Sequence, residues 1–443
     1  MRFMKYVGAC LSWRAFGLTF AVLMFFFASP SAYATANVTA LHIFCQKNPT
    51  DCSDGSVPET SLLMDAQGNL FGATVEGGGV EHFGTVFEIT AAGKFKVLHA
   101  FCHLCNDGEA IYGTLIMDVN GNLYGTAANG GAHAGQFSGG GTVFKLSPNK
   151  TGKKWKFSVI YSFCSKAGCA DSSTPSGRLT YTGAESGALW DGVSPIFGTA
   201  NGLGNGIDMG AVFELDFTPG KSKPKEKIIY AFCQKDESCP DGYEPFAGVV
   251  MDASGNLYGT TLYGGTKSQG TVFELVRQKK GYSETVLYSF CQETNCADGA
   301  HPVAGVIFDG KGNLVGTTSR GGPNFDRGVA YSIAPAGTNS QETILHNFCS
   351  DTNCNDGGTP DASLLLDSSG DLVGAASNGG TGNGGVIFKL HGATETVLYN
   401  FCLSCNEVFG PDAALIEDAS GNLLGTAVGQ VFNNYGAVFK LTP

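Results

Sequence analysis

The dipeptide Phe-Cys occurs seven times, at Phe44-Cys45, Phe101-Cys102, Phe163-Cys164, Phe232-Cys233, Phe290-Cys291, Phe348-Cys349 and Phe401-Cys402. The cysteines stand 57, 62, 69, 58, 58 and 53 residues apart. A period of this length means that one supersecondary unit has been copied along the chain, and that the copies bury their apolar faces against each other. The seven copies fill residues 35–443, so the chain reads as one array, although 443 residues alone would suggest about three domains.

Each copy carries four short runs rich in Val, Ile, Leu, Tyr and Phe, bounded by Gly, Asp, Asn and Ser. In the fourth copy they are Lys227 to Phe232, Phe246 to Asp252, Asn256 to Thr261 and Gly270 to Leu275. Asp-x-x-Gly-Asn joins the second and third runs at Asp65, Asp118, Asp252, Asp309 and Asp418, with a variant at Asp367 to Asp371. This is hairpin chemistry: Gly accepts positive φ, and Asp or Asn bonds the local backbone. The third copy replaces the hairpin with a longer segment around Trp190-Asp191.

Four antiparallel strands repeated seven times point to an all-β fold, a seven-bladed β-propeller, with an open β-solenoid as the alternative. The phasing favours closure. If FAGVVMD is innermost strand A, NLYGTT is B, GTVFEL is C and KIIYAF is outer strand D, then residues 35–443 open with a lone D strand, Val38 to Phe44. They end after a lone A-B-C set at Leu441. The N-terminal strand would join the C-terminal blade, close the ring and remove two exposed edges.

The repeat core D-x-x-G-N-L-Y-G-T-T…G-G…G-T-V-F-x-L, clearest at Asp252 to Leu275 and Asp118 to Leu146, resembles the GloVer tandem-repeat family of bacterial exported proteins, also described as choice-of-anchor repeat proteins. The resemblance implies export. Its motif consists of strand and turn residues, so it implies no catalytic residue. Members carry various C-terminal surface anchors, and no such anchor is read in this chain.

Residues 1–34 have the signature of a secretory signal: Arg2, Lys5 and Arg14, an apolar run from Ala15 to Ala28, and a small-x-small site at Ala32-Tyr33-Ala34. Cleavage there leaves 24 basic against 39 acidic residues, a charge of −15. That balance disfavours nucleic acid as a partner. The expected product is a monomer, secreted or periplasmic, with no transmembrane anchor.

Fourteen cysteines remain after such a cut, as seven local pairs: Cys45/Cys52, Cys102/Cys105, Cys164/Cys169, Cys233/Cys239, Cys291/Cys296, Cys349/Cys354 and Cys402/Cys405. One pair per copy in an exported chain reads as seven disulfides. Two pairs are C-x-x-C, but a zinc site needs both together and an oxidoreductase motif opens a helix, which this sequence does not show.

Two positions after every second cysteine stands an acid: Asp54, Asp107, Asp171, Asp241, Asp298, Asp356 and Glu407. The functional reading is a ring of carboxylates able to hold Ca²⁺; the structural one is an Asx-type turn repeated in each copy. No cofactor is required, and Ca²⁺ is the one the pattern admits. His42, His99 and His346 occupy a strand position held by Tyr161, Tyr230, Tyr288 and Tyr399 elsewhere, which reads as packing.

Side chains that the repeat does not demand are the better ligand candidates. On the loops between the B and C runs these are Glu76, Glu81, His82, His133, Tyr263, Arg320, Asp326 and Arg327. All but His133 form the expected ligand set, and Glu76, Glu81 and His82 are the compact titratable group. The C-to-D connections hold a different signal, a basic one: Lys150, Lys153, Lys154 and Lys156, then Lys221, Lys223, Lys225 and Lys227, then Arg277, Lys279 and Lys280. These suit an anionic polysaccharide, a membrane surface, or plain solvation. No nucleophile–base pair stands out, so no catalytic residue is assigned. The expected function is a non-catalytic binding or scaffold module for glycans or envelope components; the alternative is a propeller hydrolase or lyase acting on glycans or lactones at the channel.

Overall fold

The computed structural model describes residues 36–443 apart from 47–50, 80–82, 103–105, 134–139, 203–208, 219–220, 222, 235, 325, 336–339, 406–407 and 431–434. Its strands form seven separate antiparallel sheets, one per repeat, and the fold is a seven-bladed β-propeller. Blade 4 shows the plan: Val250–Met251 is strand A, Leu257–Thr261 is B, Thr271–Arg277 is C and Tyr282–Ser289 is D. In blade 7 the D strand is Asn37–Ile43, which pairs antiparallel with Ala437–Thr442 from Val38 opposite Leu441 to Ile43 opposite Ala437. The ring is therefore closed by the N-terminal strand, as the phasing of the repeats implied. All seven blade cores and the closing strand lie within residues 36–443. No described helix is long and apolar enough to cross a membrane.

Each letter of the repeat has a physical job. The Phe of Phe-Cys ends strand D and inserts between blades, where its ring meets the strand C aromatic of the next blade edge-on. Centroids are 5.3 Å apart for Phe44–Phe87, 5.0 Å for Phe232–Phe273, 5.1 Å for Phe290–Tyr331 and 5.4 Å for Phe401–Phe439. Such edge-to-face pairs add about 0.5–1.5 kcal/mol beyond their area. The strand B glycine makes room for that strand C ring: a Cβ on Gly259 would stand 2.7 Å from Phe273 Cζ. The Thr after it reaches the neighbouring blade, as Thr260 Oγ1 donates to the Ala304 carbonyl at 3.0 Å and Thr426 Oγ1 to that of Thr60 at 3.2 Å.

The Asp-x-x-Gly-Asn segments are the expected hairpins. Asp252 Oδ1 accepts the amides of Ser254 and Asn256 at 2.8 Å, and Asn256 Nδ2 donates to Oδ2 at 2.9 Å. At Asp418 burial opposes the shift, but the same bonds from Asn422 and Ser420 win and hold the carboxyl down at about 2. The Asp371 variant is neutralised by Lys389, whose ammonium lies 2.6 Å from Asp367 and 3.7 Å from Asp371.

Blade 3 departs where the sequence departs. Between Thr180–Tyr181 and Ile196–Gly202 the chain makes a short 3₁₀ turn and returns through Trp190, which is fully buried. Trp190 docks on blade 2: its amide donates to Met117, its carbonyl accepts from Val119, and its ring meets Tyr124 edge-on at 4.8 Å. The long segment is thus a clasp between blades 2 and 3.

Candidate functional site

A dipeptide whose second residue is proline in six of the seven repeats leads into strand A and aims the side chain that follows it at the axis. Its first residue has positive φ throughout: Val57, Ala110, Thr174, Glu244, His301, Thr359 and Gly410. For a β-branched residue such as Val57 or Thr174 this conformation is strained and persists only where the surroundings impose it. They do so here. Pro302 presses on Gly270 of the preceding blade so closely that a Cβ there would lie 2.5 Å from the proline ring, and Gly436 and Pro58 make the same joint at ring closure. The residue after the dipeptide then faces the channel. Around the ring this collar reads Glu59, Tyr112, Ser176, Phe246, Val303, Asp361 and Asp412, and it bounds a cavity of about 180 Å³.

The collar is lopsided. Its acids come from blades 1, 6 and 7, which are contiguous because the ring closes between blades 7 and 1. Tyr112 and Phe246 come from blades 2 and 4, with ring centroids 6.0 Å apart. Below the collar the channel opens into a second, mainly apolar space of about 630 Å³, whose lining includes Arg178 and Glu185.

Burial raises the Glu59 carboxyl from 4.5 to about 7, with the charges of Asp412 and Glu76 adding to it. Burial, then Asp412, raises Asp361 from 3.8 to about 7 against the opposing pull of Ser377 and Arg320. Asp412 is also raised by burial. Near neutral pH, therefore, Glu59 and Asp361 are each partly protonated, and like-charged carboxyls so coupled titrate together.

Beside the collar, on the face that carries the cysteine loops, blades 4 and 5 enclose a pocket of about 620 Å³ lined by Tyr263, Gln269, Asn295, His301, Arg320 and Asp326 among others. Tyr263 stacks on Tyr243 at 5.4 Å and meets the His301 ring edge-on at 5.1 Å. Arg320 Nη1 and Asp326 Oδ2 form an exposed ion pair at 3.3 Å, both side chains 60% accessible. Burial, then Arg320, lowers the His301 pKa, so this imidazole is neutral at pH 7. Arg320 acts on both His301 and Asp361, which ties pocket and collar into one electrostatic unit.

Three of the residues expected on the B-to-C loops, Tyr263, Arg320 and Asp326, thus come together. Glu76 lies on the same face but across the ring, exposed, bridged to Ser56 and acting on Glu59 and Tyr112. Arg327 is exposed and packs towards Gly358 of blade 6, outside that pocket. Glu81 and His82 lie outside the described residues. The double glycines of the loops serve packing: Gly265 and Gly322 donate to the carbonyls of Cys239 and Cys296, and a Cβ on Gly264 would meet Gly242 Cα at 2.5 Å.

Six of the expected disulfides form among the described residues: Cys45–Cys52, Cys164–Cys169, Cys233–Cys239, Cys291–Cys296, Cys349–Cys354 and Cys402–Cys405. Cys105, of the seventh pair, is outside them. Each described acid of the periodic ring turns to its own loop and to strand D. Asp298 accepts from Tyr288 Oη and the Gln292 amide, both at 2.7 Å; Asp241 accepts from Tyr230 Oη at 2.7 Å; Asp171 accepts from Tyr161 Oη at 2.6 Å. Where the strand holds His, the imidazole substitutes: His42 Nε2 is 3.0 Å from Asp54, His99 Nε2 2.8 Å from Asp107 and His346 Nε2 3.1 Å from Asp356. These histidines therefore do more than pack. Glu407 is outside the described residues. Among the described residues no group of three or more His, Cys, Asp or Glu is arranged to hold a metal ion.

The collar acids escaped sequence reasoning because they sit in the irregular stretch that leads into strand A, away from the cysteine and B-to-C loops where ligand residues were sought. Comparing the repeats at the single position after the X-Pro dipeptide would have found them, since that position alone runs from Glu to Tyr, Phe, Val and Asp while its neighbours stay small or apolar.

Among solved structures the chain is similar in fold to a Mycobacterium tuberculosis puromycin-hydrolysing peptidase, at 10% identity and TM-score 0.48 over 88% of this chain and 54% of that one. It is also similar to a protein described as a gluconolactonase, at 11% and 0.42 over 92% of each chain. A luciferin-regenerating enzyme matches at 12% and 0.40 over 77% of this chain and 94% of that one. Likeness at this level carries no argument about activity. No curated protein matches in sequence. The Gloeobacter/Verrucomicrobia repeat model, in contrast, matches residues 30–194 and 184–439, nearly the whole propeller and the same strand-and-turn repeat that builds its blades. By that match, the chain belongs to the Gloeobacter/Verrucomicrobia repeat family.

Proposed function

We propose that this propeller is a binding module of an extracytoplasmic compartment, and that it takes a glycan at the blade 4–5 pocket and the adjoining collar. The observation that carries the reading is the convergence of Tyr263, His301, Arg320 and Asp326, side chains the repeat does not require, in one open pocket. An aromatic face beside fixed polar groups suits a sugar, whose ring presents C–H bonds to one side and hydroxyls around its rim. Gln269, Asn295 and the Arg320–Asp326 pair supply donors and acceptors in the same space. The disulfides support an oxidising compartment.

Calorimetric titration against a panel of soluble polysaccharides tests the reading. One or more should bind, and Tyr263→Ala should weaken that binding by roughly tenfold or more, the usual effect of removing an aromatic anchor. Binding that is indifferent to Tyr263→Ala and Arg320→Ala would remove the pocket from the account. Turnover of a bound polysaccharide, lost in Asp361→Asn, would favour the hydrolase or lyase reading, whose acid–base groups the raised collar carboxyls would supply.

A further inference from the structure

The face opposite the cysteine loops carries a feature that ligand binding at the top leaves unused. Among the described residues four large apolar side chains stand out as exposed, and three lie here, Val119 at 60%, Leu189 at 51% and Val193 at 57%. They are neighbours. Val119 donates its amide to the Trp190 carbonyl at 2.8 Å, so the blade 2 hairpin tip lies beside the clasp that contains Leu189 and Val193. The tip is held rigidly, because Trp190 is buried and Asp191 Oδ1 accepts the amides of Val193 and Ser194 at 2.9 and 2.7 Å.

Lysines flank this apolar tip. Gly192, within the clasp, shares a pocket of about 240 Å³ with Lys145, Lys221 and Lys223. The turn of blade 2 adds Lys150, Lys153 and Lys154, and that of blade 4 adds Lys279 and Lys280, all exposed. Among the described residues none of these lysines enters an ion pair. The exposed acids of the sector are Glu185, in the 3₁₀ turn of the clasp, Asp191, committed to its own turn, and Asp216, opposite Lys225 across the blade 3 ladder, and the lysines outnumber them. Lysines alone would be explained as guards of the outer strand edges. Edge protection has no use for exposed valine and leucine at the hairpin tips, and neither does a soluble polyanion.

We propose that the lower face of blades 2–4 docks on an anionic phospholipid surface, with Val119, Leu189 and Val193 entering the interface and the surrounding lysines meeting the headgroups. Apolar burial and attraction to anionic lipid act together in such peripheral contacts, and each fades without the other. In this position the ligand pocket of the upper face points away from the membrane.

The test is co-sedimentation of the propeller, residues 36–443, with vesicles of phosphatidylcholine containing about 30% phosphatidylglycerol, against vesicles of phosphatidylcholine alone. Binding is expected only to the anionic vesicles and should fall as salt is raised. Val119→Asp/Leu189→Asp/Val193→Asp and, separately, Lys150→Glu/Lys153→Glu/Lys154→Glu should each weaken it by roughly tenfold or more. All six side chains are exposed, and thermal unfolding of the variants serves as the control for folding. No capture by anionic vesicles overturns the proposal. So does capture that the aspartate variant leaves unchanged; if soluble dextran sulfate then binds as well, the face is a polyanion site and the lipid assignment falls.

Discussion

Phe44→Ala should destabilise the propeller as much as Phe290→Ala, by about 3–5 kcal/mol each. Phe44 belongs to the terminal strand, and terminal strands of an open array contribute little because only one side is packed. In the closed ring Phe44 is an interior residue. It is 1% exposed and lies among Leu62, Leu70, Phe87 and Ile89 of blade 1 and Leu424 and Val438 of blade 7. Phe290 occupies the equivalent joint between blades 4 and 5, fully buried among Val250, Tyr258, Val306 and Tyr331. Denaturant unfolding of the two variants decides the matter. Similar losses follow from closure; a loss at Phe44 well under half that at Phe290 would show that the seam between blades 7 and 1 is open in solution.

Replacing the collar acids should have the opposite sign. Glu59→Gln combined with Asp361→Asn should stabilise the protein at pH 8 by about 2–4 kcal/mol and do nothing at pH 4. The sign follows from the direction of the shifts. Both carboxyls have folded values near 7, above ordinary values of 4.5 and 3.8. The folded state therefore favours the protonated form, a contribution that is complete below about pH 4 and lost as pH rises through 7. The gap between ordinary and folded values corresponds to about 3–4 kcal/mol per group at most. The collar is open to water through the channel mouth, which reduces that ceiling to about 1–2 kcal/mol each. Unfolding midpoints of wild type and variant between pH 4 and 8 should converge at the acid end, separate progressively as pH rises from the ordinary carboxyl range to about 7, and stay apart above it. Parallel curves would mean that the acids are solvated and that the collar stores no such cost.

A gain of stability on removing side chains is the mark of groups kept for something other than folding. The collar thus differs in kind from the periodic acids of the cysteine loops. Burial opposes ionisation of Asp54, Asp171 and Asp356 too, yet hydrogen bonds from His42, from Ser165 and Tyr161, and from His346 overcome it and leave these carboxyls below their ordinary values. Those acids serve their loops; the collar acids are held against their preference.

The architecture was readable because each repeat letter answers to a local constraint. Phe-Cys ends the outer strand, Asp-x-x-Gly-Asn makes the hairpin, and the phasing of Val38 to Phe44 against Leu441 gives the closure. The role of the strand D aromatics was readable only in part. Alternation identifies His42 and Tyr288 as packing residues, but not that each binds the acid of its own loop. Nor does it show that the next blade supplies Glu342 beside Tyr288 and Phe95 beside His42, since those contacts cross between repeats. Burial and then the charge of Asp298 push Glu342 up to about 8.

Of the ligand candidates, Tyr263, Arg320 and Asp326 were visible as departures from the repeat, because loops are free to vary. His301 was hidden by standing in a Pro-containing dipeptide that looks structural. Glu59, Asp361 and Asp412 were hidden by standing just after the proline dipeptide, in the lead-in to strand A rather than on a loop of either face. Convergence on the axis depends on how seven blades are disposed around it, which no single repeat encodes.

Hydrogen-exchange protection by the tightest-binding polysaccharide of the panel tests the central claim most directly. Amides of residues 261–270, 295–303 and 318–328 should slow on binding, with the collar segments 57–61, 359–363 and 410–414 following if the ligand reaches the axis. Protection confined to the lower face, or spread evenly over all seven blades, would contradict a ligand site at the pocket of blades 4 and 5.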